Sequence, residues 1–284
     1  MVAYERWVQR ILRRLARPRE IESHYEFIQF LNVKANRRIE LVRRHADQQL
    51  CVLKVIDTRL NLGNRPLGFE LNALRQLRHE NIIRCRTMGR TRTNLMWFEL
   101  QYIDGVNLDA YLLGANKFAH DPSVDLAALE RLISWLAGII RGVRFMHWKG
   151  WLHGDLCPAN VMLANQQTTP IIIDFEYARP FTEPAADALP RKHSLDYAAP
   201  EEIKGKPLSV EGDYFAIGRI GQRLFSAPQL PLGFSPDSKA GEQVAAIQLA
   251  CDQLVAASYG ERIAQLKNLA DILSSAGTSS RSSE

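Results

Sequence analysis

Apolar Tyr4, Trp7, Val8, Ile11, Leu12 and Leu15 recur at helical spacing, with arginines between them and Pro18 behind them. The pattern predicts a basic amphipathic helix over residues 1–20. Such a helix either docks on an anionic membrane surface or a partner, or lays its stripe on the domain behind it. From Glu26 to Ile56 the texture turns to β. Phe27, Ile28, Phe30 and Leu31, then Ile39, Leu41 and Val42, then Cys51, Val52, Leu53, Val55 and Ile56 form runs separated by short polar stretches, which predicts three antiparallel strands. Residues 66–78 return to helical spacing through Phe69, Ala73, Leu74 and Leu77, and apolar runs follow at Ile82–Ile83 and Leu95–Ile103. A small sheet with one helix laid on it is expected.

Beyond Asp104–Gly105 the pattern is mainly helical. A long apolar-rich segment from Leu126 to His147 predicts a buried helix. Short strands are expected at Val161–Leu163 and Ile171–Ile173, irregular chain from Pro180 to Pro190, and helices near Tyr214–Phe225 and Val244–Leu273. The small and polar residues at the end predict a disordered, serine-rich tail over 276–284. The domain organisation expected is thus a helix over 1–20 and one two-part domain over 21–275.

Composition narrows the class. The 284 residues are 46% hydrophobic and 24% charged, ordinary for a globular chain and long enough to bury about 75% of the unfolded surface without metals or disulfides. The longest near-continuous apolar stretch, Leu132–Ile140, falls short of the roughly 20 residues a membrane span needs. Cys51, Cys85, Cys157 and Cys251 lie far apart with no C-x-x-C pair, which predicts neither a zinc site nor a redox motif and points to a reducing cytosol. The expected location is cytoplasmic, with a peripheral membrane association through residues 1–20 as the variant. Net charge is 36 − 31 = +5. Residues 1–20 hold six arginines against Glu5 and Glu20, so they carry +4 and the remainder only +1. That distribution predicts no nucleic-acid partner, because the basic side chains do not spread over a binding fold.

Candidate chemistry lies in His153-Gly154-Asp155-Leu156-Cys157-Pro158-Ala159-Asn160, followed by an apolar strand ending in Ile173-Asp174-Phe175. An aspartate and an asparagine five apart, with a second aspartate after a strand, supply the oxygens that phosphoryl transfer uses. One carboxylate orients the attacking hydroxyl and accepts its proton, while a carboxylate and an amide hold hard Mg²⁺ ions.

On these residues the chain resembles the eukaryotic-type protein kinase superfamily, in the right order over roughly residues 26–275. The resemblance implies an α+β, two-lobed protein-kinase-like fold, with a β-rich N-lobe to about Tyr102 and a mainly helical C-lobe from about Ile103. Lys54 in Val52-Leu53-Lys54-Val55 matches the family's lysine on the third strand, and Glu70 its partner on the following helix. The resemblance casts Asp155 as catalytic base, Asn160 and Asp174 as metal ligands, and Lys54 with Glu70 as the phosphate clamp. Leu31, Ile39, Gln101 and Ile103 would frame the nucleotide, with Leu100 at the gatekeeper position. Ser194-Leu195-Asp196-Tyr197-Ala198-Ala199-Pro200-Glu201 resembles the P+1 loop and A-P-E segment, Asp213 and Gly218 the start of helix F, and Arg262 a partner for Glu201.

The implied activity is transfer of the ATP γ-phosphate to a serine or threonine hydroxyl of a protein substrate, with Mg²⁺, or Mn²⁺ in its place. Two alternatives stand beside it. One is a pseudokinase scaffold with little or no turnover. The other is a small-molecule or lipopolysaccharide kinase, whose members often read H-G-D as His153-Gly154-Asp155 does.

Departures from the family pattern are specific. Aligned from Leu31 to Ile39, Asn32, Lys34 and Arg37 stand where glycines are expected. Either Lys34, Arg37 and Arg38 cover the phosphates with charge, or the segment is a plain hairpin that binds nucleotide less well. Glu176 replaces the glycine of D-F-G, Cys157 replaces a lysine, and Gly154 replaces an arginine.

Overall fold

A computed structural model describes residues 18–34, 36–59, 67–115, 126–164, 169–183, 195–226 and 234–278. By compactness the chain divides into two units, one of Met1–Leu67 with Ile83–Ile103 and one of Gly68–Ile82 with Asp104–Glu284. The basic helix expected over residues 1–20 falls almost wholly outside the described residues. Pro18, expected to end that helix, begins the short helix α1 (Arg19–Glu22), its carbonyl accepting from the Ile21 and Glu22 N–H groups.

The first unit is a five-stranded antiparallel sheet of β1 (Tyr25–Val33), β2 (Arg37–Arg44), β3 (Leu50–Asp57), β4 (Cys85–Arg90) and β5 (Leu95–Gln101), in the order β1-β2-β3-β5-β4. Central β3 is buried along nearly its whole length, which is why it reads as an almost unbroken apolar run rather than an alternation. Register then fixes the faces. Ile39, Lys54 and Phe98 lie opposite one another across β2, β3 and β5, and Leu41, Val52 and Leu100 form the next row on the same face. Intervening residues point the other way, so Arg38 shares its side with Val55 and Trp97.

The second unit takes α2 (Leu67–Gln76) from Gly68 on, a helix expected to lie on the small sheet. It continues through β6 (Gly105–Asn107), α3 (Leu108–Ala115), α4 (Leu126–Trp148), β7 (Trp151–Leu152), β8 (Val161–Ala164), β9 (Pro170–Ile172), β10 (Arg179–Pro180), α5 (Pro200–Ile203), α6 (Val210–Leu224), α7 (Lys239–Ala256) and α8 (Arg262–Thr278). Its small sheets are β6-β8-β9 and β10-β7.

Helix α4 buries Leu129, Leu132, Ile133, Leu136, Ile139, Ile140, Val143 and Met146, the 3.6-residue stripe of a core helix. Gly138 and Gly142, four apart, let it press against β9: a Cβ at Gly138 would stand 2.6 Å from Pro170 Cγ, and one at Gly142 2.8 Å from Ile172 Cδ1. The single helical stretch expected over Val244–Leu273 is two helices, α7 and α8, broken at Ala257–Glu261. Helix α8 runs on to Thr278, past the start of the expected tail, whose last six residues lie outside the described ones. Part of the irregular segment from Pro180 to Pro190 lies outside them as well.

Candidate active site

The second unit assembles a loop between β7 and β8 around one buried carboxylate. Asp213 sits in the first turn of α6, which Ser209 caps by accepting the Gly212 N–H at 3.0 Å. Its Oδ2 accepts the His153 N–H at 2.9 Å and meets His147 Nε2 at 2.8 Å, while its Oδ1 accepts the Gly154 N–H at 3.0 Å. Burial by itself pushes this carboxyl up. The hydrogen bond and charge of His147, then the charge and N–H of His153, outweigh burial and hold it below its ordinary value.

Glycine at 154 has a local reason. Its φ is +74°, and a Cβ there would lie 2.7 Å from Leu208 Cδ1 and 2.8 Å from the Tyr177 carbonyl oxygen.

From this anchor the loop presents Asp155 and Asn160, both half-buried. Asn160 Nδ2 donates to the Asp155 carbonyl at 2.8 Å and lies 3.3 Å from Asp155 Oδ2. The amide's donor end is thereby committed to the aspartate, and its carbonyl oxygen is turned away from it. The Ile173 N–H donates to the Asn160 carbonyl at 2.9 Å, which brings Asp174, the next residue, to the same end of β8 and β9. Asp174 has φ +60°, a left-handed backbone that a non-glycine residue adopts at a cost and that clusters at functional sites.

His153 ties the two segments together. Its Nδ1 accepts the Asp155 N–H at 3.2 Å, so the tautomer with hydrogen on Nε2 also satisfies the 3.3 Å contact to the Ile173 carbonyl. Phe175 packs against the same ring, centroids 5.5 Å apart.

Asp155, Asn160 and Asp174 are therefore brought together within the second unit. Glu70, on α2, is also in that unit and 3% exposed. Lys54, Leu31, Ile39, Gln101 and Ile103 belong to the first unit. Lys54, also 3% exposed, shares its sheet face with Ile39, Leu41, Val52 and Leu100. Leu31 sits at a β-bulge between Phe30 and Asn32 and is largely exposed. Gln101 ends β5 and donates its N–H to the Arg84 carbonyl at 2.9 Å. Ile103, half-buried, is the last residue of the unit.

One expectation is corrected here. Arg38 cannot join Lys34 and Arg37 over a nucleotide bound on the Lys54 face, because the pleat turns it to the opposite face, where it is 2% exposed and pairs with Glu40.

Downstream, Arg262 forms the expected pair with Glu201, its Nη2 donating to Oε2 at 3.1 Å and Nη1 to Oε1. Burial pushes the Glu201 carboxyl up, but the Arg262 hydrogen bonds bring it below its ordinary value. Arg223 Nη1 donates to Asp109 at 2.7 Å and to the Tyr197 hydroxyl at 3.0 Å, and Arg219 Nε donates to the Asp196 carbonyl at 2.9 Å. These contacts tie the segment before α5 to α6.

Two polar residues were given no role from the sequence. His147 is a lone histidine closing an apolar helix, six before His153. Asn81 is fully buried; its Nδ2 donates to the Pro170 carbonyl at 2.9 Å and its own carbonyl accepts the Ile172 N–H at 2.8 Å. The signal for Asn81 was a polar residue set directly against Ile82 and Ile83. Among the described residues no group of three or more His, Cys, Asp or Glu side chains gathers as a metal site, and no helix is long and apolar enough to cross a membrane.

Comparison with known proteins bears on the same residues. A family model described as the protein kinase domain matches residues 37–274. The chain is 25% identical over 177 residues to the mouse interferon-induced, double-stranded RNA-activated protein kinase, covering 57% of this chain and 33% of that protein. It is 26% identical over 196 residues to a probable serine/threonine-protein kinase, PknB, of Lactococcus lactis (67% and 29%), and 25% identical over 192 residues to human serine/threonine-protein kinase H1 (66% and 43%). The match thus spans less than half the length of these relatives. With a family match that runs from β2 into α8 and takes in the Asp155, Asn160 and Asp174 loop, this chain belongs to the protein kinase domain family.

Proposed function

We propose that the chain transfers the γ-phosphate of ATP to a serine or threonine hydroxyl of a protein substrate. The observation that carries the reading is the Asp155–Asn160–Asp174 arrangement. The Asn160 amide is held by its donor end, so its oxygen and the Asp174 carboxylate are the two hard donors beside Asp155. That donor set fits Mg²⁺, which takes one or two protein oxygens and completes its shell with phosphate oxygens and water. Bound there, the metal would neutralise charge on the transferring phosphate.

Asp155 accepts the hydroxyl proton as the hydroxyl oxygen attacks. The brace from Asn160 Nδ2 fixes the loop that carries this carboxylate. Lys54 and Glu70 are assigned the phosphate clamp, and Ile39, Leu41, Val52 and Leu100 the apolar bed for the base. Leu31, Gln101 and Ile103 would complete the nucleotide frame. Serine or threonine as acceptor rests on the likeness to serine/threonine-protein kinases and on the A-P-E segment with Ser194 before it.

A second reading, a nucleotide-binding scaffold with little turnover, is favoured by the β1–β2 hairpin. Lys34, where a glycine is expected, donates its N–H to the Arg37 carbonyl at 2.7 Å and so does not offer it to a phosphate. The deciding experiment follows labelled phosphate from Mg-ATP onto the protein and onto a generic basic substrate, with phosphoamino-acid analysis, for wild type and Asp155→Ala. Label on serine or threonine that the variant loses supports the kinase. Nucleotide binding without label in either protein supports the scaffold.

A further inference from the structure

Helix α4 turns one stripe to the core, and its outward stripe ends in a basic and aromatic cluster. Arg141, Arg144, Phe145 and Trp148 fall at i, i+3, i+4 and i+7, which places them on one face. Arg141, Arg144 and Trp148 are exposed and Phe145 is half-buried. Trp148, 74% exposed, is the most exposed large apolar side chain among the described residues. The next residue, Lys149, sets its Nζ 4.1 Å from the Trp148 ring centre and 5.8 Å from that of Phe145. The two rings lie 5.8 Å apart. Gly150, with φ +79°, then turns the chain, and its carbonyl accepts the N–H of Phe181, itself 49% exposed.

The charge on this face is one-sided. The chain holds no acidic residue between Glu130 and Asp155. Glu80 reaches Arg141 at 3.7 Å, but both side chains are more than half exposed, and such a pair contributes little. Among the described residues, Arg144 and Lys149 form no ion pair. Three cations against one carboxylate leave 3 − 1 = +2 here, where the whole of residues 21–284 carries +1.

An indole left in water among uncompensated cations matches the chemistry of anionic lipid. Phosphate and carboxylate headgroups take the positive charges, and a tryptophan settles at headgroup level with its ring in the apolar boundary. Shape selects among anionic partners. The groups lie along one helix stripe and the turn behind it, a ridge that a flat surface meets along its length, whereas an acidic peptide or a nucleic-acid strand is held in a groove. We propose that the end of α4 docks the chain peripherally on an anionic membrane surface, with Trp148 at headgroup level and Arg141, Arg144 and Lys149 against the headgroups. This inference does not depend on catalysis.

The full chain is titrated with phosphatidylcholine vesicles, with and without phosphatidylserine, and with brominated lipid as a quencher of tryptophan emission. Binding to the phosphatidylserine vesicles is expected, with none to phosphatidylcholine alone and with release by salt. Lys149→Ala and Arg144→Ala should each weaken binding about fivefold, the worth of one cation near the surface. Trp148→Phe should remove most of the bromine quenching, with circular dichroism unchanged because the ring is on the surface. No vesicle binding by the wild type overturns the proposal. So does binding that the three substitutions leave unchanged, with quenching kept in Trp148→Phe, which would put the contact on another segment. Polyglutamate bound as tightly as the vesicles, and lost with the same substitutions, would make an acidic protein the partner and equally overturn it.

Discussion

Removing the Asp213 carboxylate should loosen the loop that presents Asp155. Asp213→Ala leaves the buried N–H groups of His153 and Gly154 without their acceptor and strands His147. An unsatisfied buried donor costs about 1–3 kcal/mol, so the two backbone groups alone amount to roughly 4 kcal/mol. Asp213→Asn keeps the volume but turns one acceptor oxygen into a donor, so at least one N–H faces an NH₂ group, and about 2 kcal/mol is expected.

Thermal unfolding followed by circular dichroism should show the alanine variant lower by roughly 8–16 °C, at about 2–4 °C per kcal/mol for a chain of this order of size. The pH dependence has a definite sign. The folded carboxyl titrates below its ordinary value, so its contribution is fully present above the unfolded pKa, about 3.9, and is lost as pH falls through the folded value. The gap between wild type and Asp213→Asn should therefore narrow below about pH 4. Shifts under 2 °C in both variants, or a gap that widens in acid, would refute the idea that this carboxylate holds the loop.

The remaining predictions concern other contacts. Glu201→Ala, which strands the nearly fully buried Arg262, should cost about 3–5 kcal/mol in urea unfolding. Arg262→Ala should cost less, because Glu201 retains some access to water; the reverse order would contradict the reading. Tyr25→Phe removes the hydroxyl that donates to buried Glu99 at 2.6 Å and should cost about 1.5–3 kcal/mol by the same measurement. Burial pushes the Cys51 thiol up to about 11 and that of Cys251 up to about 12. Because the thiolate is the reactive form, maleimide at pH 8 followed by peptide mapping should label half-buried Cys85 well before either.

Local patterning made the strands of the first unit and the long helix α4 legible, because each buries one continuous stripe or run. The catalytic-type loop was legible because Asp155, Asn160 and Asp174 are polar residues at the ends of short apolar strands. The Glu201–Arg262 pair, 61 residues apart, came from family resemblance rather than from spacing. What the sequence hid depends on packing. The break between α7 and α8 lies in a stretch whose apolar residues keep recurring, so periodicity alone joins the two helices. The turn of Arg38 away from Lys54 follows from strand register, since a one-residue offset reverses every side chain. His147 and Asn81 act by filling buried hydrogen-bond positions set by distant segments, which no local window contains.

Phosphate transfer by the Asp155–Asn160–Asp174 loop is read by measuring nucleotide binding and single-turnover transfer from labelled ATP on the same samples of wild type and Asp155→Asn at saturating Mg²⁺. Nucleotide binding should be unchanged and transfer slowed by about 10²–10⁴-fold, the usual worth of a positioned base. Equal transfer rates in the two proteins would contradict it.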